Sequence, residues 1–69
     1  MLDYVVKGLE AGRTEAGIMA IGGNAQAYHK VEIVSVDALG IVCRVKGMLG
    51  GYGEPQARPW ACISHFEFL

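Results

Sequence analysis

Three basic residues and two rings lie close together in one part of this sequence. Arg44 and Lys46 alternate within a run of β-branched residues, so both project from the same side of a predicted strand. Lys30 lies in the preceding β-rich segment, directly after Tyr28 and His29. Cations bind phosphate and aromatic rings stack on bases, which are the two requirements of a single-stranded nucleic-acid site. These five residues are therefore the candidate binding residues.

The same residues also have an ordinary structural interpretation. A solvated strand face with a cross-strand ion pair between Glu32 and Lys46 would contribute only about 0.2–1 kcal/mol. In a monomer we prefer this interpretation. In a homo-oligomer the cations recur in every subunit, and multivalency makes a weak patch effective.

The composition predicts a homo-oligomer. The 69 residues are 52% apolar and only 19% charged, with a net charge of −1. A single domain over residues 1–69 has too little interior to cover this apolar surface, and exposed apolar patches usually mark interfaces. Because the net charge is near zero, any nucleic-acid contact must come from a local cluster of cations.

No pattern in the sequence is typical of catalysis or of metal binding. The acidic residues are scattered without a paired spacing, and neither cysteine stands in a nucleophile motif. His29, Cys43, Cys62 and His65 have the chemistry of zinc ligands, but strand alternation points Cys62 and His65 to opposite faces. We predict that the protein is not an enzyme and holds no metal and no cofactor.

A predicted β-hairpin positions the cations. Residues 37–40, Asp-Ala-Leu-Gly, have the composition of a type I turn followed by a left-handed glycine, which predicts a three-residue loop closed by a glycine bulge. The register that follows has three pairs: Ile33 with Val45, Ser35 with Cys43, and Glu32 with Lys46. One strand face is apolar and is the predicted core: Val31, Ile33, Ile41, Cys43 and Val45. The other face is mixed, as in an interface or ligand surface: Glu32, Val34, Val36, Val42, Arg44 and Lys46.

The remaining segments complete an all-β fold, a five-stranded small barrel. Residues 2–10 fit either a strand or a short helix, because apolar helical spacing competes with a β-branched run. Residues 15–21 and 60–69 predict strands, and residues 22–24 predict a turn. Residues 47–59 hold four glycines and two prolines, which predicts a loop. The alternation of the last strand assigns Trp60, Cys62, Phe66 and Phe68 to one face, and Ile63, His65, Glu67 and Leu69 to the other.

The sequence also predicts a cytoplasmic protein without a membrane partner. No segment approaches the roughly 20 apolar residues that span a bilayer, and the N-terminus lacks the regions of a signal peptide. Two cysteines do not make the disulfide framework of small secreted domains.

Two stretches resemble the Sm-like family of small β-barrels, in particular its bacterial host-factor branch. Residues 12–21 are similar to the first half of an Sm-like domain, and residues 39–47 are similar to the second Sm signature, with Leu-Gly, an apolar run, a basic residue and glycine. A weaker resemblance links residues 3–17, Tyr28-His29 and residues 44–47 to the tryptophan-sensing RNA-binding attenuation protein family. Both resemblances imply a homo-oligomeric ring that binds RNA through Arg44 and Lys46, and the first implies an Sm/SH3-like barrel.

Two functions of different classes follow from these observations. The first is a non-enzymatic homo-oligomeric ring that binds single-stranded RNA or DNA through the basic and aromatic strand face. The alternative is a protein-interaction or assembly module that binds no nucleic acid, which the low net charge favours. In that alternative, exposed Met48, Leu49 and Tyr52 of the glycine-rich loop supply partner contacts.

Overall fold

A computed structural model describes residues 2–22 and 25–69. The elements in chain order are α1 (Leu2–Glu10), β1 (Glu15–Gly22), β2 (Ala25–Val36), β3 (Gly40–Lys46), β4 (Tyr52–Pro59), a 3-10 turn (Trp60–Cys62) and β5 (Ile63–Phe68). Gly23 and Asn24 of the predicted turn lie outside the described residues.

The five strands form one antiparallel sheet in the order β4-β3-β2-β1-β5. The predicted all-β class with five strands is confirmed, and of the two alternatives left open for residues 2–10 the structure has the short helix. Within the described residues β4 and β5 do not pair with each other, so the sheet is open and these two strands are its edges.

The helix covers one side of the sheet because of its apolar spacing. Val5 is fully buried and Leu9 packs against the core. Asp3 in the first turn and Lys7 in the last turn complement the helix dipole. No helix in the described part of the chain has the length and apolar character needed to cross a membrane.

The core lies between α1 and the inner face of the sheet, which is the face that contains Val31 and Ile33. Its buried residues are Val5, Ala16, Ile18, Ala20, Val31, Ile33, Ile41, Cys43 and Phe66. The predicted core face of the hairpin is confirmed, since four of its members are buried and Val45 packs against them.

The predicted register of the hairpin was wrong by two residues. The observed pairs are Val31 with Val45, Glu32 with Arg44, and Ile33 with Cys43. A shift of two leaves every side chain before the bulge on its predicted face, because side chains alternate with a period of two.

The chemistry of the turn explains the shift. The Asp37 carboxylate accepts hydrogen bonds from the backbone N–H groups of Leu39, at 2.9 Å, and Gly40, at 3.1 Å. Gly40 does not have the positive φ of a glycine bulge. The irregularity lies in β2 instead, between Ile33 and Ser35, so Val36 pairs with Ile41 and packs against the core rather than on the mixed face.

The prediction of a loop over residues 47–59 was wrong for most of its length. Residues 47–51 form the turn, with Gly50 at φ +90°, and β4 then pairs with β3. Prolines are tolerated on an edge strand whose nitrogens face outward. The Trp60 N–H donates to the Leu39 carbonyl, at 3.1 Å, which places the nitrogens of Pro55 and Pro59 on the free edge of β4 by alternation.

The last strand is shorter than predicted. The 3-10 turn at Trp60–Cys62 precedes β5, and within β5 the register with β1 shifts between the pairs Met19–His65 and Ala20–Ile63. Ile63 therefore packs against the core together with Phe66 and Phe68, whereas the predicted alternation assigned it to the opposite face from these two residues. The Trp60 indole donates to the Asp37 carbonyl at 3.0 Å and connects this turn to the hairpin loop.

Candidate nucleic-acid interface

The candidate residues lie mainly on the outer face of the sheet, the face opposite α1. Two rows of residues cross strands β1, β2 and β3 on this face. One row contains Glu15, Glu32 and Arg44. The next row contains Gly17, Lys30 and Lys46. Gly17 pairs with Lys30, and Val31 pairs with Val45, so the antiparallel register brings Lys46 opposite Lys30. The outer face thus has an acidic row neutralised by one arginine beside a row with two lysines.

Tyr28 lies across the sheet beside the lysine row. Its hydroxyl donates a hydrogen bond to the Glu67 carboxylate, at 3.1 Å, on β5. On its way to β5 the ring passes directly over Gly17, where an added Cβ would meet the hydroxyl at 2.1 Å and the ring carbon that bears it at 2.7 Å. Gly17 therefore makes room for the ring, which remains 45% exposed.

Four of the five predicted residues come together at one shallow cavity. That cavity has a volume of about 320 Å³, whereas Arg44 lines a separate cavity of about 570 Å³. The lining of the smaller cavity is Tyr28, His29, Lys30, Lys46 and Gly47. We call Tyr28, Lys30 and Lys46 the lysine–tyrosine patch.

His29 differs from its two neighbours. It is half-buried and pairs with Ile18, whose side chain is in the core. Alternation along β2 points its side chain away from the outer face that holds Tyr28 and Lys30. His29 thus forms part of the cavity wall without presenting its imidazole on the patch.

Arg44 has partners within its own chain. Its guanidinium lies 3.5 Å from the Glu32 carboxylate, donates from Nε to the Gly53 carbonyl at 3.0 Å and stands 6.0 Å from the centre of the Tyr52 ring. The corrected register therefore replaces the predicted Glu32–Lys46 pair by Glu32–Arg44. Lys46 is left beside Lys30 instead of beside a carboxylate.

The two cavities differ in electrostatics. Glu32 and Glu54 line the larger one with Arg44. Burial raises the pKa of Tyr52, and the charges of Glu15 and Glu32 raise it further against the opposing effect of Arg44. An acidic field of this kind disfavours phosphate, so the smaller cavity is the better anion site.

The hydrogen bond between Tyr28 and Glu67 has a measurable consequence. Burial raises the pKa of the Tyr28 hydroxyl, and the hydrogen bond and negative charge of Glu67 raise it further. The stabilisation from this contact is complete below the ordinary tyrosine pKa of about 10 and is lost as the pH rises through the raised value.

We expect Glu67→Gln to lower the pKa of Tyr28 toward its ordinary value, because the substitution removes the carboxylate charge. An NMR-detected alkaline titration of the tyrosine rings measures this change. Tyr52 is the internal control, since Glu67 is not among the groups that shift its pKa. An unchanged Tyr28 pKa would contradict the contact.

The four residues considered as zinc ligands do not form a centre. The described residues include no group of three or more His, Cys, Asp or Glu side chains placed to hold a metal ion. Cys43 is buried and Cys62 is half-buried, and both are free thiols. Burial raises the pKa of the Cys43 thiol, although the charge of Arg58 opposes the shift.

The residues that sequence reasoning missed are Gly17 and Glu67. Neither residue has a local sequence signal for its role. Gly17 leaves space for the Tyr28 ring, and Glu67 accepts a hydrogen bond from the Tyr28 hydroxyl, and both residues are distant from Tyr28 in the sequence. Comparisons with models of protein families, with characterised proteins and with solved structures found no match to this chain.

Proposed function

We propose that this protein is a non-enzymatic homo-oligomer, a ring in the simplest arrangement, that binds single-stranded RNA or DNA through the lysine–tyrosine patch. The observation that carries the proposal is the juxtaposition of Lys30 and Lys46. Like charges directly opposite each other on neighbouring strands destabilise a sheet. Within residues 2–22 and 25–69 neither lysine takes part in an ion pair, so a bound phosphate would relieve their repulsion.

Tyr28 adds the second requirement of a single-strand site. Its ring is exposed beside the lysines and is fixed at its far end by Glu67. A ring that is already ordered loses little side-chain entropy when a base stacks on it. Base–aromatic stacking tolerates every base, so we expect binding with little sequence preference.

Assembly is supported by large apolar side chains in contact with solvent. Leu39 is 82% exposed, and Met48 and Leu49 are fully exposed. The β5 edge contains no proline, so its free backbone groups are able to pair with another chain. Symmetry would repeat the two lysines in every subunit, and the repeated patches would form a continuous binding site for the phosphates of a nucleic acid. The location we propose is the reducing cytoplasm, which suits the free thiols of Cys43 and Cys62.

Fluorescence anisotropy with a short labelled single-stranded RNA of mixed sequence tests the proposal. We expect micromolar or tighter binding at about 50 mM salt and weaker binding at about 200 mM salt. In Lys30→Ala/Lys46→Ala the affinity falls, and the slope of log K against log salt decreases in magnitude by about 1.4, since each phosphate contact to a single strand contributes about 0.7. Arg44→Ala has a smaller effect than Lys46→Ala, because Glu32 already neutralises Arg44.

The control removes the same charge elsewhere. Lys7 is on α1 and Arg13 stacks on Phe68, at 4.9 Å from the ring centre, so Lys7→Ala/Arg13→Ala matches the net charge of the patch variant. Absence of binding by the wild type at low salt contradicts the proposal. Equal losses in the two double variants would show that overall charge, and not the patch, governs binding.

A protein-interaction module is the second candidate, and the exposure of Met48 and Leu49 favours it. Under this function the chain assembles but the labelled RNA does not bind. The same titration, combined with a mass measurement in solution, separates the two functions.

A further inference from the structure

The two edges of the open sheet differ in their capacity to accept another strand. On β4 the nitrogens of Pro55 and Pro59 lie on the free edge and donate no hydrogen bonds, so strand pairing along β4 is disfavoured. The β5 edge contains no proline. Within residues 2–22 and 25–69, β1 is the only strand that pairs with β5, so the other side of β5 is open to an added strand.

The backbone of β5 presents the hydrogen-bonding groups of Phe66 and Phe68 at this open edge. The Leu69 N–H donates to the Glu15 carbonyl on β1, at 3.0 Å. Because successive backbone groups along a strand point to alternate sides, those of Glu67 also face β1, whereas those of Phe66 and Phe68 face outward. A second strand must therefore form its hydrogen bonds with Phe66 and Phe68.

A basic and an acidic side chain flank Phe66 on the outer face of the sheet. The His65 Nε2 lies 3.7 Å from the Glu67 carboxylate, and both side chains are about half exposed. Both are thus accessible to a strand that pairs with β5. Opposite charges on directly opposed residues stabilise an antiparallel pair and like charges destabilise it, so His65 and Glu67 discriminate among the possible registers.

Only one antiparallel register between two copies of β5 places each His65 opposite a Glu67. In that register Phe66 is opposite Phe66 of the second copy, and these two residues exchange both of their outward backbone hydrogen bonds. A register centred on Glu67 would place two carboxylates opposite each other, and one centred on His65 would do the same with two imidazoles. The order His-Phe-Glu on this edge is thus complementary to itself under a two-fold rotation.

Aromatic surface beside the same edge would be covered by this pairing. Tyr4 of α1 packs against Phe66 and Phe68, with ring centres 6.3 Å and 5.4 Å apart, yet about half of its surface is exposed. Because Phe66 would lie at the centre of the contact, the aromatic clusters of the two copies would come together on the inner face. Burial of aromatic surface favours the association.

We infer that the β5 edges of two copies pair antiparallel about a two-fold axis at Phe66 and form one continuous ten-stranded sheet. The inference rests on the assembly included in the proposed function and specifies one of its contacts. Because the contact uses the same surface on both copies, it closes a dimer, and a ring would consist of such dimers.

The pairing has a consequence for the binding of nucleic acid. The two lysine–tyrosine patches then lie on one outer face, and their Lys30 residues are five strand spacings apart, roughly 24 Å at about 4.8 Å each. One nucleic-acid strand is thereby able to contact both patches, which increases the overall affinity.

Two complementary charge variants test the inference. In His65→Glu both residues that flank Phe66 are acidic, and in Glu67→Lys both are basic. Each variant alone places like charges opposite each other, whereas a pair formed from one copy of each variant places unlike charges opposite each other at both positions. Gln56→Glu and Glu54→Lys introduce the same residues at exposed positions of β4, the other edge, and are the matched controls.

Size-exclusion chromatography with light scattering over a range of protein concentrations is the measurement, with circular dichroism to verify the fold of each variant. We expect an even number of chains in the wild type and in both controls. The dissociation constant of His65→Glu or Glu67→Lys alone rises about tenfold or more. An equimolar mixture of these two variants recovers the wild-type dissociation constant.

Other outcomes overturn the inference in distinguishable ways. If both β5 variants assemble like an oligomeric wild type, or if the wild type contains an odd number of chains, the β5 contact is refuted and the homo-oligomer of the proposed function stands. If the mixture dissociates like the separate variants, the register centred on Phe66 is wrong. If the wild type is a monomer, both the contact and the assembly fail, while the anisotropy titration decides separately on nucleic-acid binding.

Discussion

Replacement of Gly40 by alanine is expected to cause a large loss of stability, because among the glycines compared it is the one whose added Cβ would clash with the backbone of a neighbouring strand. A Cβ at this position would meet the Arg58 carbonyl oxygen at 2.2 Å and the Pro59 Cα at 2.7 Å. Both obstacles are backbone atoms of the neighbouring strand, so β4 must separate from β3 to admit the methyl group. Overpacking costs about 1–3 kcal/mol and sometimes more, and backbone obstacles place this substitution at or above the upper end.

That cost is large for a domain of this size. Stabilities of about 0.05–0.15 kcal/mol per residue correspond to roughly 3–10 kcal/mol for this chain. Urea unfolding followed by circular dichroism measures the change in the free energy of unfolding. Gly51→Ala is the control, because nothing lies within 4 Å of its added Cβ. Similar stabilities for the two variants would contradict the close approach of β4 to Gly40.

The second large effect is on binding. We expect Gly17→Ala to abolish most of the stacking contribution to nucleic-acid affinity while costing little stability. The added methyl group displaces the far end of the Tyr28 side chain, which is free to rotate into solvent, and it breaks the bond to Glu67. The loss is about 1–3 kcal/mol of binding free energy, or roughly fivefold to 150-fold in Kd.

Tyr28→Ala should produce the same loss, and the double variant should lose no more than either single variant. Non-additivity of this kind indicates that Gly17 acts through Tyr28. Anisotropy titrations of the three variants give the comparison. Gly53→Ala serves as a control on the edge strand β4, since its Cβ would contact only the Val45 carbonyl at an ordinary 3.7 Å. Normal affinity of Gly17→Ala would show that the ring does not need its position over β1.

The sequence was sufficient to predict the class of fold and the core face of the hairpin. Alternating β-branched residues from Val31 to Ile33 and from Ile41 to Val45 leave only one apolar face, and that face is buried. The register was not predictable, because Asp-Ala-Leu-Gly is compatible with more than one turn. The Asp37 carboxylate binds two backbone N–H groups here and moves the irregularity into β2.

The strand β4 was missed for a different reason. Glycines and prolines ordinarily interrupt strands, yet an edge strand needs hydrogen bonds on one side only. Whether a segment becomes an edge depends on the order of strands in the sheet, which local sequence does not encode. A prediction from the local composition of residues 52–59 alone therefore gives a loop.

The composition of the candidate site was predicted better than its electrostatics. The cations and the tyrosine were recognisable by type and spacing, and four of the five residues line one cavity. The two-residue error in register exchanged the roles of Arg44 and Lys46, because it changed which of them faces Glu32. The contacts of Tyr28 with Gly17 and Glu67 join three strands and have no local pattern.

The most direct test of the proposed patch is a map of the nucleotide contacts. Photo-cross-linking of the protein to a short single-stranded RNA that contains 4-thiouridine, followed by mass spectrometry of the cross-linked peptides, identifies the residues in contact. We predict cross-links at Tyr28 or at the neighbouring lysines Lys30 and Lys46. Cross-links confined to Met48 and Leu49 would contradict the proposed patch. Absence of any cross-link, under conditions in which a control RNA-binding protein is cross-linked to the same RNA, would also contradict it.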